Sequence, residues 1–175
     1  MLKPNRRLAA HKSPPDETTD RGLTRRLDLT ALRQTPGFMI RILQIQIFEE
    51  FFEYFSAVGL SPAEHSSLIT IRDNPSVSPS EIASVLRIQL PNLVNILLKL
   101  ETRGLIKRKR SNRDKRAVEL MLTSSGEKAA AQASKMADAF NALMLSPLSE
   151  NEQKQFLGML GRLVHAQANK PDPDA

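Results

Sequence analysis

Apolar positions recur three and four apart through most of the chain, and polar capping residues divide that rhythm into helix-sized pieces. Phe38, Ile42, Ile45, Phe48, Phe52 and Phe55 form one helical stripe. Leu43, Ile47 and Phe51 widen it beyond what one core face needs, which implies a second buried surface. Ser61-Pro62-Ala63-Glu64 then predicts a fresh helix start, because the serine oxygen can accept a free helix N–H while the glutamate reaches back to the cap. Ser78-Pro79-Ser80-Glu81 and Ser149-Glu150-Asn151-Glu152 repeat that logic. The last of these opens a helix carrying Phe156, Leu157, Leu160, Leu163 and Val164, preceded by a long helix from about Ser124 to Leu145.

The middle of the chain changes period. After Ser78, the residues Ile82, Ala83, Val85 and Leu86 give one short apolar face, Arg87-Ile88-Gln89 suits a turn, and a second helix runs from about Leu90 to Arg103. Its inward stripe is Leu93, Ile96, Leu97 and Leu100, which leaves Leu90, Pro91, Asn92, Asn95 and Lys99 on or near the opposite face. Gly104 ends this helix, Leu105 to Lys109 can form one strand, and Ala117 to Leu122 another, with Val118, Leu120 and Leu122 on one side. Two short helices followed by a cationic hairpin are the layout of a winged helix-turn-helix. The expected fold class is therefore mainly α with a small β-hairpin wing.

That layout points to double-stranded DNA. Asparagine can pair with an adenine edge in two places and apolar side chains can touch a thymine methyl, so Asn92 and Asn95, with Leu90 and Pro91, are the expected base contacts and Lys99 a phosphate contact. Lys107, Arg108, Lys109, Arg110, Arg113, Lys115 and Arg116 are offset locally by Asp114 alone. Such a run is ordinarily a solvated loop, but directly after a helix-turn-helix it can follow the groove, where cations neutralise phosphate and an inserted arginine senses minor-groove width.

Composition narrows the alternatives. A chain of 175 residues with 41% hydrophobic content can bury one domain-sized core, and a net charge of +6 with a pI near 9.9 favours an anionic partner. The absence of cysteine excludes disulfides, cysteine zinc sites and thiol-based oxidation sensing. His11, His65 and His165 lie in separate segments without metal-binding or catalytic context, and no nucleophile–base pair or phosphate-cradling glycine loop occurs. An enzyme and a cofactor are not expected. With no long apolar run and no signal-like stretch at the N-terminus, neither is a membrane, and the expected location is the cytoplasm. The pattern divides the chain into a basic arm (1–34) with a short helix near Leu27 to Arg33, an N-terminal dimerisation helix (35–60), the DNA-binding domain (61–123), C-terminal dimerisation helices (124–169) and a frayed tail (170–175). Apolar terminal helices that cannot cover themselves fit a twofold homodimer on a near-palindromic site, its reading helices roughly 34 to 36 Å apart.

The run Leu100-Glu101-Thr102-Arg103-Gly104-Leu105-Ile106-Lys107-Arg108, then Asp114-Lys115-Arg116, then Leu122-Thr123-Ser124-Ser125-Gly126 resembles the MarR-type (multiple antibiotic resistance) transcriptional regulators. The resemblance extends from about Pro36 to Ala168, since Pro36-Gly37-Phe38 and Gly59-Leu60-Ser61-Pro62 fall where that family places its first helix and the start of its second. It implies interleaved terminal helices in a dimer, a major-groove helix beginning near Leu90, an Asp114 that braces the wing and an Arg116 that enters the minor groove. The sequence departs from the family pattern at Arg87, often glycine, at Gln89, often a serine-like cap, and at Val94 and Leu98, which are more apolar than usual.

Members of that family are usually repressors released by a small aromatic, anionic ligand, and Pro36 to Arg41 resembles a subgroup associated with aromatic-acid catabolism. Arg41 and Gln44 on the first helix and His65 on the second, where relatives often carry a pocket-facing aromatic, are the expected pocket residues. Each also fits a plainer role as an interface cation, a solvated amide and a core histidine. Arg25, Arg26, Arg33 and Arg41 could meet the phosphates of an aromatic acyl-coenzyme A. The principal alternative is a ligand-independent architectural DNA-binding protein; a module for an acidic protein partner is the other.

Overall fold

The structure, a computed structural model, describes residues 27–56, 58–110 and 118–168. The elements run α1 (Thr30–Arg33), α2 (Pro36–Tyr54), α3 (Pro62–Asp73), α4 (Pro79–Leu86), α5 (Leu90–Thr102), β1 (Ile106–Arg110), β2 (Val118–Leu122), α6 (Ser124–Met144) and α7 (Glu150–Ala168). The chain divides into two units, residues 1–40 and 41–175. In the first, the described part is α1 and the opening turns of α2. The second holds the core and the site.

Local chemistry sets the helix starts. Ser61 Oγ accepts from the Glu64 N–H at 3.2 Å while Glu64 Oε2 accepts from the Ser61 N–H at 2.8 Å. The same reciprocal pair forms between Ser78 and Glu81 at 3.3 and 2.7 Å, and between Ser149 and Glu152 at 3.4 and 2.8 Å. Each such cap contributes about 1 kcal/mol and fixes where its helix begins.

The centre of unit two is a layer of α3, α5 and α6 closed by the hairpin. Leu68 and Ile71 of α3, Leu93, Leu97 and Leu100 of α5, Leu120 of β2 and Ala130 and Ala133 of α6 are buried together. β1 and β2 pair antiparallel in register Ile106↔Leu122 through Arg110↔Val118. The Leu120 N–H also donates to the Val77 carbonyl at 2.9 Å, which fastens the segment before α4 to the back of the hairpin.

Two expectations about apolar faces need correction. Val85 is 71% exposed, because the buried side of α4 runs through Ile82, Ala83 and Leu86 and, at about 100° per residue, Val85 falls well outside it. On α2 the core-facing line is Ile47, Phe51 and Phe55, with Tyr54 beside it, while Ile45, Phe48 and Phe52 are exposed. A helix apolar on nearly every side does not announce which side turns inward. The choice is made by a ring from elsewhere: Phe51 and Phe55 stack on each other at 3.9 Å, and Phe140 of α6 meets both edge-on at 5.9 and 6.3 Å.

Candidate nucleic-acid interface

α4 and α5 meet at 115° across Arg87-Ile88-Gln89, the crossing that lets one helix brace another from behind. The turn is made by a left-handed residue. Arg87 has φ of 53°, the Ile88 N–H donates to the Ala83 carbonyl at 3.0 Å and the Arg87 N–H to Ser84 at 3.3 Å, closing the helix end. Glycine would adopt this conformation freely; arginine there costs about 1 kcal/mol. Gln89 makes no side-chain cap, and α5 carries Pro91 as its second residue, whose missing N–H would have had no helical partner.

α5 buries Leu93, Leu97 and Leu100, with Ile96 partly covered. Leu90, Pro91, Asn92, Asn95 and Lys99 are all exposed, as the spacing predicts. Asn95 stands nearly opposite the buried row and Asn92 sits toward its flank. The exposed side also carries Val94 and Leu98, at 42% and 55% exposure.

The helix ends on Gly104, φ 67°, with the Leu105 N–H donating to the Leu100 carbonyl at 2.9 Å and the Gly104 N–H to Glu101 at 2.8 Å. Arg103, which the sequence pattern did not single out, forks onto the Val58 and Gly59 carbonyls at 2.9 and 2.8 Å and so ties the end of α5 to the turn after α2. A cation one residue before a helix-ending glycine is the signal that could have found it. Between these elements lies an open groove lined by Gly59, Glu64, Leu98, Lys99, Thr102 and Arg103, which includes none of Arg41, Gln44 and His65.

In the wing, Lys107, Arg108, Lys109 and Arg110 are exposed along β1. Alternation puts Arg108 across from Leu120, on the core side, and its Nε donates to Glu101 Oε2 at 2.9 Å. Arg108, expected as a DNA contact, also ties the hairpin to α5 through this ion pair, and the residue stays exposed. Arg110 lies further out on the same strand face. Arg113, Asp114, Lys115 and Arg116 lie outside the described residues, as do Arg25 and Arg26.

Behind the wing, Thr123 Oγ1 donates to the Gly104 carbonyl at 2.6 Å and accepts from the Gly126 N–H at 3.0 Å. One side chain therefore joins the end of the reading helix to the start of α6.

The expected pocket residues separate by environment. Arg41 and Gln44 are exposed on α2, and helical spacing puts them on the flank that carries Phe48, Phe51 and Phe55. His65 meets Phe51 and Phe55 edge-on at 5.8 and 5.3 Å, and its Nε2 is buried with no hydrogen-bond partner among the described residues. Arg33 stands exposed in the last turn of α1. Burial, with Arg72 nearby, pushes the His65 pKa below its ordinary 6.5. The unfolded chain then takes up a proton that the fold resists, so stability is full above pH 6.5 and declines as pH falls toward the folded value. A thermal-melting series from about pH 7.5 to 5.5 should show a steeper loss for the native protein than for His65→Phe; parallel curves would contradict that assignment.

The bent helix pair, the exposed polar and apolar face of α5 and the cationic strand beside it define a winged-helix DNA-binding regulator. A sequence model of the MarR family matches residues 60–118. A protein of Thauera aromatica, named for transcriptional regulation of its hcr operon, is 29% identical over 136 residues, covering 77% of this chain and 82% of its own. The transcriptional regulator BilQ of Clostridium symbiosum is 32% identical over 122 residues, covering 67% and 85%. The repressor CouR, solved on a 23-mer DNA duplex, superposes with a TM-score of 0.76 at 33% identity, covering 80% and 99%. CouR bound to p-coumaroyl-CoA superposes at 0.72. The chain belongs to the MarR family and is a transcriptional regulator of that type.

Proposed function

We infer that the protein is a cytoplasmic homodimeric repressor that holds a near-palindromic operator and lets go when a small aromatic acid or its coenzyme A thioester binds. CouR carries this reading: one relative of the same fold, about a third identical over 80% of this chain, is solved both on a DNA duplex and with an aromatic acyl-CoA. In this chain Leu90, Pro91, Asn92 and Asn95 read bases and Lys99, Arg108 and Arg110 hold phosphate, joined by Arg113, Lys115 and Arg116. Asp114 braces the wing.

The effector's aromatic end lies against Phe48 and Phe51, with Arg41, Gln44 and His65 as polar anchors. Its action requires a dimer geometry that binds ligand well and DNA poorly; a ligand indifferent to the two states would release nothing. No helix among the described residues is individually long and apolar enough to cross a membrane.

Titration of p-coumaroyl-CoA, p-coumaric acid and coenzyme A alone against a complex with the protein's own promoter DNA tests this. The thioester or the acid should weaken binding at least about fivefold, coenzyme A alone should not, and Arg41→Ala should blunt the effect. Indifference to both aromatic compounds would contradict release by this class of ligand.

A further inference from the structure

We propose that α5 selects its operator largely by apolar contact with thymine methyl groups, with Val94 and Leu98 as specificity residues beside Leu90 and Pro91. The proposal rests on the regulator reading above and adds the chemistry of base selection.

Leu90, Val94 and Leu98 follow one another at single-turn spacing and are 44%, 42% and 55% exposed. All three escape the core that takes Leu93, Leu97 and Leu100 from the same helix. A large aliphatic chain left half in water forgoes about 1 kcal/mol of burial, and three such chains in one row mark a surface that is covered when the protein works. DNA is the occupant that fits. Helical spacing puts Leu98, at the end of the row, on the same side as Pro91 and Asn95, and Lys107, Lys109 and Arg110 stand exposed on the strand that follows. CouR, of the same fold, is solved on a duplex.

In the major groove the thymine C5 methyl is the apolar group available to such side chains. Against the edge of a G·C pair, Val94 or Leu98 would strip water from N7, O6 or N4 and return no hydrogen bond. An aliphatic row thus rewards thymine and rejects G·C. Successive turns advance by about 5.4 Å, so a helix lying along the groove meets methyl groups on base pairs roughly one to two steps apart. Asn95, nearly opposite the buried row, is then free to take a neighbouring adenine.

The test uses the full-length native protein and a duplex it enriches from a random-sequence library. Uracil replaces thymine throughout each recognised half-site, which removes the methyl and keeps every pairing edge, with the same exchange in a non-enriched duplex as control. Affinity for the enriched duplex should fall about three- to fivefold per contacted methyl, and the control should not change. Val94→Ala should lose several-fold on the thymine duplex and little or nothing further on the uracil duplex, a coupling that a merely structural role would not produce. Unchanged affinity on uracil DNA, or an equal Val94→Ala loss on both duplexes, overturns the proposal while leaving the regulator reading in place. A protein that enriches no sequence at all overturns both.

Discussion

Gly126→Ala should destabilise the protein by about 2 kcal/mol or more, lowering its melting temperature by roughly 4–8 °C, while Ser125→Ala one residue earlier changes it little. Gly126 is buried in the first turn of α6, and a Cβ built there would overlap the Leu105 carbonyl oxygen, a backbone atom with no freedom to swing aside. That carbonyl is already engaged by the Thr123 N–H at 3.0 Å, and Thr123 in turn holds Gly104 and the cap of α6. Displacing it shifts the base of the wing and the end of the reading helix together. DNA affinity should therefore fall even at temperatures where the variant is folded. A variant with native melting and native affinity would contradict this packing.

The second large effect concerns the outer helices. None of the described side chains of α7 is buried, and Leu157, Met159, Leu163 and Val164 are 49–61% exposed; Ile45, Phe48 and Phe52 of α2 are likewise uncovered. Solvated aliphatic and aromatic surface on this scale is what a twofold partner removes from water. The double substitution Leu157→Glu with Leu163→Glu places charge there without touching the chain's own core. Sedimentation should show a folded monomer, and specific DNA affinity should drop about 100-fold or more, because each half-site then binds without the effective concentration supplied by the other. A variant that remains dimeric at native affinity would place the interface elsewhere.

What was legible in the sequence is what is decided locally. Three Ser/Glu capping boxes set three helix starts, and all three form. The three-and-four spacing of Leu93, Leu97 and Leu100 gave the inner side of α5, and with it the exposed positions of Asn92, Asn95 and Lys99. What was not legible depends on partners distant in sequence. Apolar residues surround α2, so its buried line emerged only from the rings of Phe140 and His65 packed on Phe51 and Phe55. Arg108 is one cation in a run of cations, and charge counting cannot tell strand faces apart. The period-two alternation from Ile106 does, and it turns Arg108 toward Glu101. Arg103 stands out only as a cation before a helix-ending glycine, and that position does not tell which carbonyls, more than forty residues away, it meets.

Whether this fold reads sequence is decided by fluorescence anisotropy with the duplex enriched by the protein and with a random duplex of equal length, across several salt concentrations. A preference of roughly 10³-fold or more for the enriched duplex, retained at matched salt, is the predicted result. Equal affinity for both, falling together as salt rises, would contradict it and mark a protein held to DNA by phosphate charge alone.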